Sequence, residues 1–199
     1  MNDRLTIGYD AKRIVRNGTG LGSYGRTLVN DLAADGSIQL RLYTPDEGRD
    51  DLHNQIIPRP NISFCYPPYS VVPFHKAAWR TKGIVQDLRR DGVQIFHGLS
   101  GELPVGIRQS GIKGIVTIHD LIFLRHPEFY NWLDTKIYAW KFRQTIREAD
   151  HIIAVSECTK RDIIELGQVD DRRISVIYQS YAPRFASPLT SHLSPLVIS

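Results

Sequence analysis

Cysteine is scarce. The 199 residues contain two, Cys65 and Cys158, with no CxxC or CxxH spacing, which excludes a disulfide framework and a cysteine-based metal site. Both are expected as reduced thiols of a cytosolic protein. Long apolar runs are also missing: none approaches the roughly 20 residues of a membrane span. The start, Met1-Asn2-Asp3-Arg4, passes at once into a strand-like run, without the pattern of a secretory signal. Charge of one sign is weak, with 25 Lys and Arg against 21 Asp and Glu and a net charge of +4. Without a concentrated basic face or a recognisable motif, nucleic acid is not an expected partner. Mild basicity suits a phosphate-bearing small molecule or an anionic membrane surface. A metal site built from His97, His119 and Asp120 lacks the helix-borne pair of an HExxH motif, so no metal is expected.

What is present is alternation. Leu5–Asp10 reads as a buried strand and 21–34 as a helix with Leu21, Tyr24, Leu28 and Leu32 on one face. Strands are expected at 38–44, 62–66, 93–97, 114–119, 151–156 and 174–179, and helices at 74–90, 132–148 and 157–166. Runs such as IIAV and GIVTI lack period-two alternation, as strands buried on both faces do. The fold expected is α/β: a Rossmann-like parallel sheet with helices on both faces. From Ala182 onward the chain carries three prolines and four serines without an element pattern. Residues 1–181 are therefore expected as the domain and 182–199 as a linker or truncated tail.

Open parallel sheets bind ligands beyond the carboxyl ends of their strands. Those ends carry Asp10, His97, His119 with Asp120, Ser156 with Glu157, and Gln179. Ser156 is also a good helix N-cap, and His119 can equally be a satisfied structural histidine. The run Asn17-Gly-Thr-Gly-Leu-Gly-Ser-Tyr24 enters a helix, where Gly20, Leu21 and Gly22 let backbone amides approach an anion. Gly20-Leu-Gly22-Ser-Tyr-Gly25 matches GxGxxG, and Asp46 stands where a ribose-binding acid would. The insert 11–19, however, is too long for the tight turn of a dinucleotide fingerprint. From Tyr66 to Arg90 aromatics (Tyr66, Tyr69, Phe74, Trp79) alternate with basic residues (Lys76, Arg80, Lys82, Arg89, Arg90). That stretch is either a solvated helix with buried aromatics or a basic face for anionic lipid.

Taken together, Asp10-Ala11, TGLGSY at 19–24, IFHG at 95–98, VTIHDL at 116–121, HPEFY at 126–130, ADHIIAVSE at 149–157 and RISVI at 173–177 resemble the N-terminal domain of glycosyltransferase family 4. The resemblance spans about 5–185. It implies a GT-B fold in which this half faces the acceptor and an absent C-terminal domain, beyond Ser199, binds the nucleotide-sugar. It implies transfer with retention, as by hexosyltransferases of polysaccharide biosynthesis, to a saccharide or lipid-linked acceptor, without metal or cofactor. His119 would be catalytic. Asp10, Gly20, Leu21, Gly22, Tyr24, His97, Asp120, Ser156 and Glu157 would bind substrate. Where the family shows Asn-Gly after the last strand, this chain has Tyr178-Gln179-Ser180-Tyr181. The isolated piece is expected to be inactive and cytoplasmic, with peripheral membrane contact and homodimer formation across the uncovered crevice left open. The alternative is a Rossmann-like binding or scaffold module without chemistry.

Overall fold

A computed structural model describes residues 4–68 and 76–179. The whole of the anticipated tail, 182–199, together with Tyr69 and Phe74, lies outside these residues. Seven strands form one parallel sheet in the order β3-β2-β1-β4-β5-β6-β7: β1 Leu5–Asp10, β2 Ile38–Tyr43, β3 Ile62–Cys65, β4 Ile95–Gly98, β5 Lys113–Ile118, β6 His151–Ala154 and β7 Ile174–Val176. Each strand anticipated from sequence is present, several ending one to three residues earlier. The order reverses at β1, where β2 pairs on one side (Ile7 with Leu40) and β4 on the other (Ile7 with Ile95). Connections leave that point in opposite directions and open a crevice above the carboxyl ends.

Alternate strand residues feed two cores. Ile7, Tyr9, Leu40 and Leu42 join Ile14, Val15 and Val29 on the face covered by α1 (Lys12–Arg16) and α2 (Gly20–Leu32). Tyr43, Phe96, Val116, Ile118, Ile152 and Ala154 join Leu88, Phe142 and Ile163 on the other face. There the cover comes from α5 (Ile84–Arg90), α7 (Trp132–Glu148) and α8 (Glu157–Gly167). Short helices α3 (Asp50–His53), α4 (Lys76–Ala78) and α6 (Ile122–Arg125) complete the α-helices of the described residues.

Two expectations change. The insert 11–19 is not plain loop: Ile14 and Val15 are fully buried in α1, whose first amide is held by Asp10 Oδ1 at 3.1 Å. The most buried line of α2 is Gly22, Gly25, Arg26 and Val29, with Tyr24, Leu28 and Leu32 packed beside it. Small residues are innermost because α1 crosses close by, and a Cβ on Gly25 would stand 2.9 Å from Ile14.

The segment 76–90 is helical with a π turn at Trp79–Gly83. Trp79 is buried and donates from Nε1 to Asp87 at 2.7 Å. Lys76 pairs with Asp46, Arg90 with Asp87 and Asp91, and Arg80 turns inward. The buried-aromatic reading describes this helix. Its basic residues are largely engaged within the chain and offer no continuous face to lipid.

Candidate active site

One end of the crevice is open. The Asp10 carboxylate closes β1 and is paired with Arg80, which the π turn aims back over the strand ends. Arg80 also faces Glu102 at 3.6 Å, and Glu102 accepts from Lys141 of α7 at 2.9 Å. Glu102 reaches this point because the chain doubles back after β4: a Cβ on Gly98 would lie 2.0 Å from the Glu102 carbonyl oxygen, so only glycine fits. This explains the glycine of IFHG. These groups, with Lys12, Leu103 and Trp140, line a cavity of about 270 Å³, just below the ~300–1,000 Å³ usual for ligand pockets. Burial, then the Arg80 charge, hold the Lys12 ammonium below its ordinary range.

The other end is closed. Asn17 Oδ1 accepts from Thr19 N at 2.8 Å and from Gly22 N at 3.4 Å, capping the entry to α2. Buried Arg26 donates to the Ile14 and Asn17 carbonyls at 2.7 and 3.0 Å and ties this loop to α1. The two glycines of the motif differ. A Cβ on Gly22 would fall 1.8 Å from Asn17 O, whereas one on Gly20 would meet nothing within 4 Å. Gly22 therefore permits an internal close approach, and the expected opening toward a ligand belongs to Gly20 and Leu21, whose first-turn amides have no helical partner.

Tyr24 Oη is 3.1 Å from Thr117 Oγ1, which is 2.8 Å from His97 Nε2. His97 is buried, and desolvation lowers its pKa to about 4. Its ring packs under the crevice instead of lining it. Tyr24 also meets His119 edge-on, with ring centroids 5.1 Å apart. His119 Nε2 lies 2.9 Å from the Leu99 carbonyl, and Nδ1 lies 2.6 Å from Gln179 Nε2. A carbonyl only accepts, so Nε2 carries the proton and Nδ1 receives the Gln179 amide. Burial holds His119 below its ordinary pKa. Both ring nitrogens are thus engaged by the chain itself.

Ser156 accepts from Thr159 N at 3.1 Å as the cap of α8, and Thr159 Oγ1 donates to the His119 carbonyl at 3.0 Å. Ser156 thereby positions the backbone of His119. Glu157 is exposed in the first turn of α8, and Asp120, also exposed, accepts from Ile122 N at 3.3 Å. The strand ends bring Tyr24, His97, Thr117, His119 and Gln179 together, while Asp10 belongs to the open cavity. Arg80, Glu102, Trp140 and Lys141 escaped the reading of strand ends because they arrive on helices and a loop. Among the described residues no three His, Cys, Asp or Glu side chains are arranged to hold a metal ion. Asp46 accepts from Arg16 at 2.6 and 2.8 Å and from Lys76 at 3.4 Å, so its carboxylate is committed to ion pairs.

Residues 18–181 match the model of glycosyltransferase family 4. A solved glycosyltransferase from Rickettsia africae is similar over 96% of this chain and 47% of its own, with a TM-score of 0.56 at 16% identity. The apo lipopolysaccharide outer core galactosyltransferase WaaB aligns over 89% of this chain and 46% of its own, at a TM-score of 0.49 and 13% identity. The chain thus spans about half the length of these structures. No curated protein matches it.

Proposed function

The chain belongs to glycosyltransferase family 4, and from that premise we propose that it is the acceptor-side half of a two-domain enzyme transferring a sugar from a nucleotide-sugar, with retention, to a saccharide or lipid-linked acceptor. In this reading 1–181 form the acceptor domain, 182–199 lead to a donor domain, and the isolated piece is inactive. The observation that carries the reading is the open cavity at the strand ends. Its carboxylates (Asp10, Glu102) and cations (Arg80, Lys141) suit hydroxyl groups that both donate and accept, and the Trp140 indole offers an apolar wall.

The closed end supplies the rest. Transfer breaks the bond from the anomeric carbon to the diphosphate, forms one to the acceptor oxygen, and releases the acceptor proton. The amides of Gly20 and Leu21 at the start of α2 suit the departing anion. His119 Nδ1 receives the acceptor or sugar hydroxyl once Gln179 moves aside.

The test is the full-length protein with labelled UDP- and GDP-sugars. Transfer or donor hydrolysis is expected, falling about 10²-fold in turnover with His119→Ala, while calorimetry of the 199-residue chain shows millimolar UDP or GDP binding at best. Turnover with no donor would defeat the reading. One observation favours the non-catalytic alternative: both His119 nitrogens are already engaged. Full activity per folded molecule in His119→Ala would assign the residue a structural role.

A further inference from the structure

A helix packed on a sheet ordinarily turns its polar stripe outward. α7 does so only in part. Ala139, Phe142, Thr145 and Glu148 are buried against the sheet. On the opposite side, at helical spacing, stand Trp132, Leu133, Ile137 and Trp140, with Trp132 72% and Trp140 58% exposed. The same outward side carries Lys136, Arg143 and Arg147, none of which forms an ion pair among the described residues. Gln144 is the remaining polar residue there. Of the helix's two acids, Asp134 is exposed in the first turn but falls at the spacing of Lys141 and Thr145, off that side, and Glu148 turns inward to accept from the Gly106 and Arg108 amides at 3.0 Å. Just before the helix, Phe129 is also 72% exposed, stacked on His126 and next to exposed Glu128. Of the thirteen large hydrophobic side chains exposed among the described residues, eight fall between Ile122 and Trp140. Isolated exposed apolar residues need no explanation, but a contiguous group does.

We infer that the outward face of α7 docks on an anionic lipid bilayer. Tryptophans flanked by unpaired cations are the side chains that suit the boundary between headgroups and acyl chains. The cations meet acidic headgroups, and the indoles and Leu133, Ile137 and Phe129 enter the boundary layer. A second copy of the chain fits poorly: a two-fold contact would bring together two faces that each carry Lys136, Arg143 and Arg147, with Asp134 at the start of the helix the one exposed acid of α7 to offset three cations. Trp140 belongs to this face and also lines the cavity. On the transfer reading given above, docking therefore opens the cavity toward the headgroup layer and makes the acceptor a lipid-linked one.

The chain contains three tryptophans, one of which, Trp79, is buried with its indole nitrogen bonded. Emission therefore reads the face against an internal constant. The 199-residue chain is mixed with phosphatidylcholine vesicles and with vesicles containing phosphatidylglycerol, some carrying brominated acyl chains. Expected are a blue shift and bromine quenching with anionic vesicles alone, abolished by replacing Trp132 and Trp140 with phenylalanine so that only Trp79 emits. Replacing Lys136, Arg143 and Arg147 with glutamine removes about 1 kcal/mol of headgroup attraction each, or about 10²-fold in vesicle affinity at 1.4 kcal/mol per decade. Circular dichroism confirms that these exposed substitutions leave the fold intact. No shift with anionic vesicles, equal binding to both vesicle types, or a shift that follows protein concentration without lipid would overturn the proposal. No sugar donor is present, so the outcome is independent of the transfer reading.

Discussion

The two ends of the crevice contrast in how their polar groups are satisfied. Around His119 the rings and hydroxyls are already answered from within: Leu99 and Gln179 take its nitrogens, Thr117 joins Tyr24 to His97, and Thr159 holds its carbonyl. Around Arg80 the groups line an open cavity, where Asp10, Glu102 and Lys141 keep capacity for further hydrogen bonds. A closed polar network gives rigidity and position, whereas an open one can receive a ligand without unfolding anything. Damage to the first, the turnover role proposed for His119 apart, should therefore be read in stability, and damage to the second in acceptor recognition.

The sharpest break is expected at Gly22. Gly22→Val drives a side chain into the Asn17 carbonyl, 1.8 Å from the ideal Cβ position. Main-chain overlap of this kind should cost more than ~3 kcal/mol, measured as a fall in the urea midpoint. A folded, inactive Gly22→Val protein would move this glycine from the closed network to the ligand side.

Acid should reach the same end. His97 has a folded-state pKa of about 4 against an ordinary 6.5. The unfolded chain therefore binds more protons in that window. The stability contribution is full above pH 6.5 and is lost as pH falls toward 4, by roughly 3 kcal/mol. Urea unfolding at stepped pH should show that slope, and His97→Gln should flatten it.

The open end predicts smaller structural effects. Glu102→Gln removes a partly exposed carboxylate paired with Lys141 and Arg80 and should change stability by about 1 kcal/mol or less. In the full-length enzyme it should raise the acceptor KM more than it lowers kcat. A large loss of stability instead would show that the cavity is part of the fold's support. Smallest of all is Gly20→Ala. Its Cβ meets nothing within 4 Å, so the unfolding free energy should move by no more than ~1 kcal/mol, while any effect on turnover would report a ligand close to this backbone.

Much of the fold was legible. Apolar runs such as GIVTI and HIIA, separated by helix-length segments, required a parallel sheet covered on both sides, and the length of insert 11–19 ruled out the dinucleotide turn despite a matching glycine pattern. α1 was missed because five residues carry too little periodicity to separate a helical turn from a loop. Of the candidate site, His119, Tyr24 and Asp10 were legible as polar residues at strand ends or at the mouth of the glycine loop. Arg80 was visible only as one basic residue in a run of them, since spacing does not say which member of such a run turns inward.

The sequence by itself determined that strands and helices alternate, where each strand ends to within about three residues, and which polar residues stand near those ends. These follow from local periodicity and from a capping residue such as Ser156. Which of those residues face a ligand was decided only by the tertiary structure. His97 is buried because Tyr24 and Thr117 close over it, and Gly22 is a glycine because Asn17 crosses it. Packing likewise set which side of α7 carries the core (Ala139, Phe142, Thr145) and so which of its apolar residues, Trp132 and Trp140 among them, were left outside. Each depends on the distance between segments remote in the chain, which packing sets and no local pattern records.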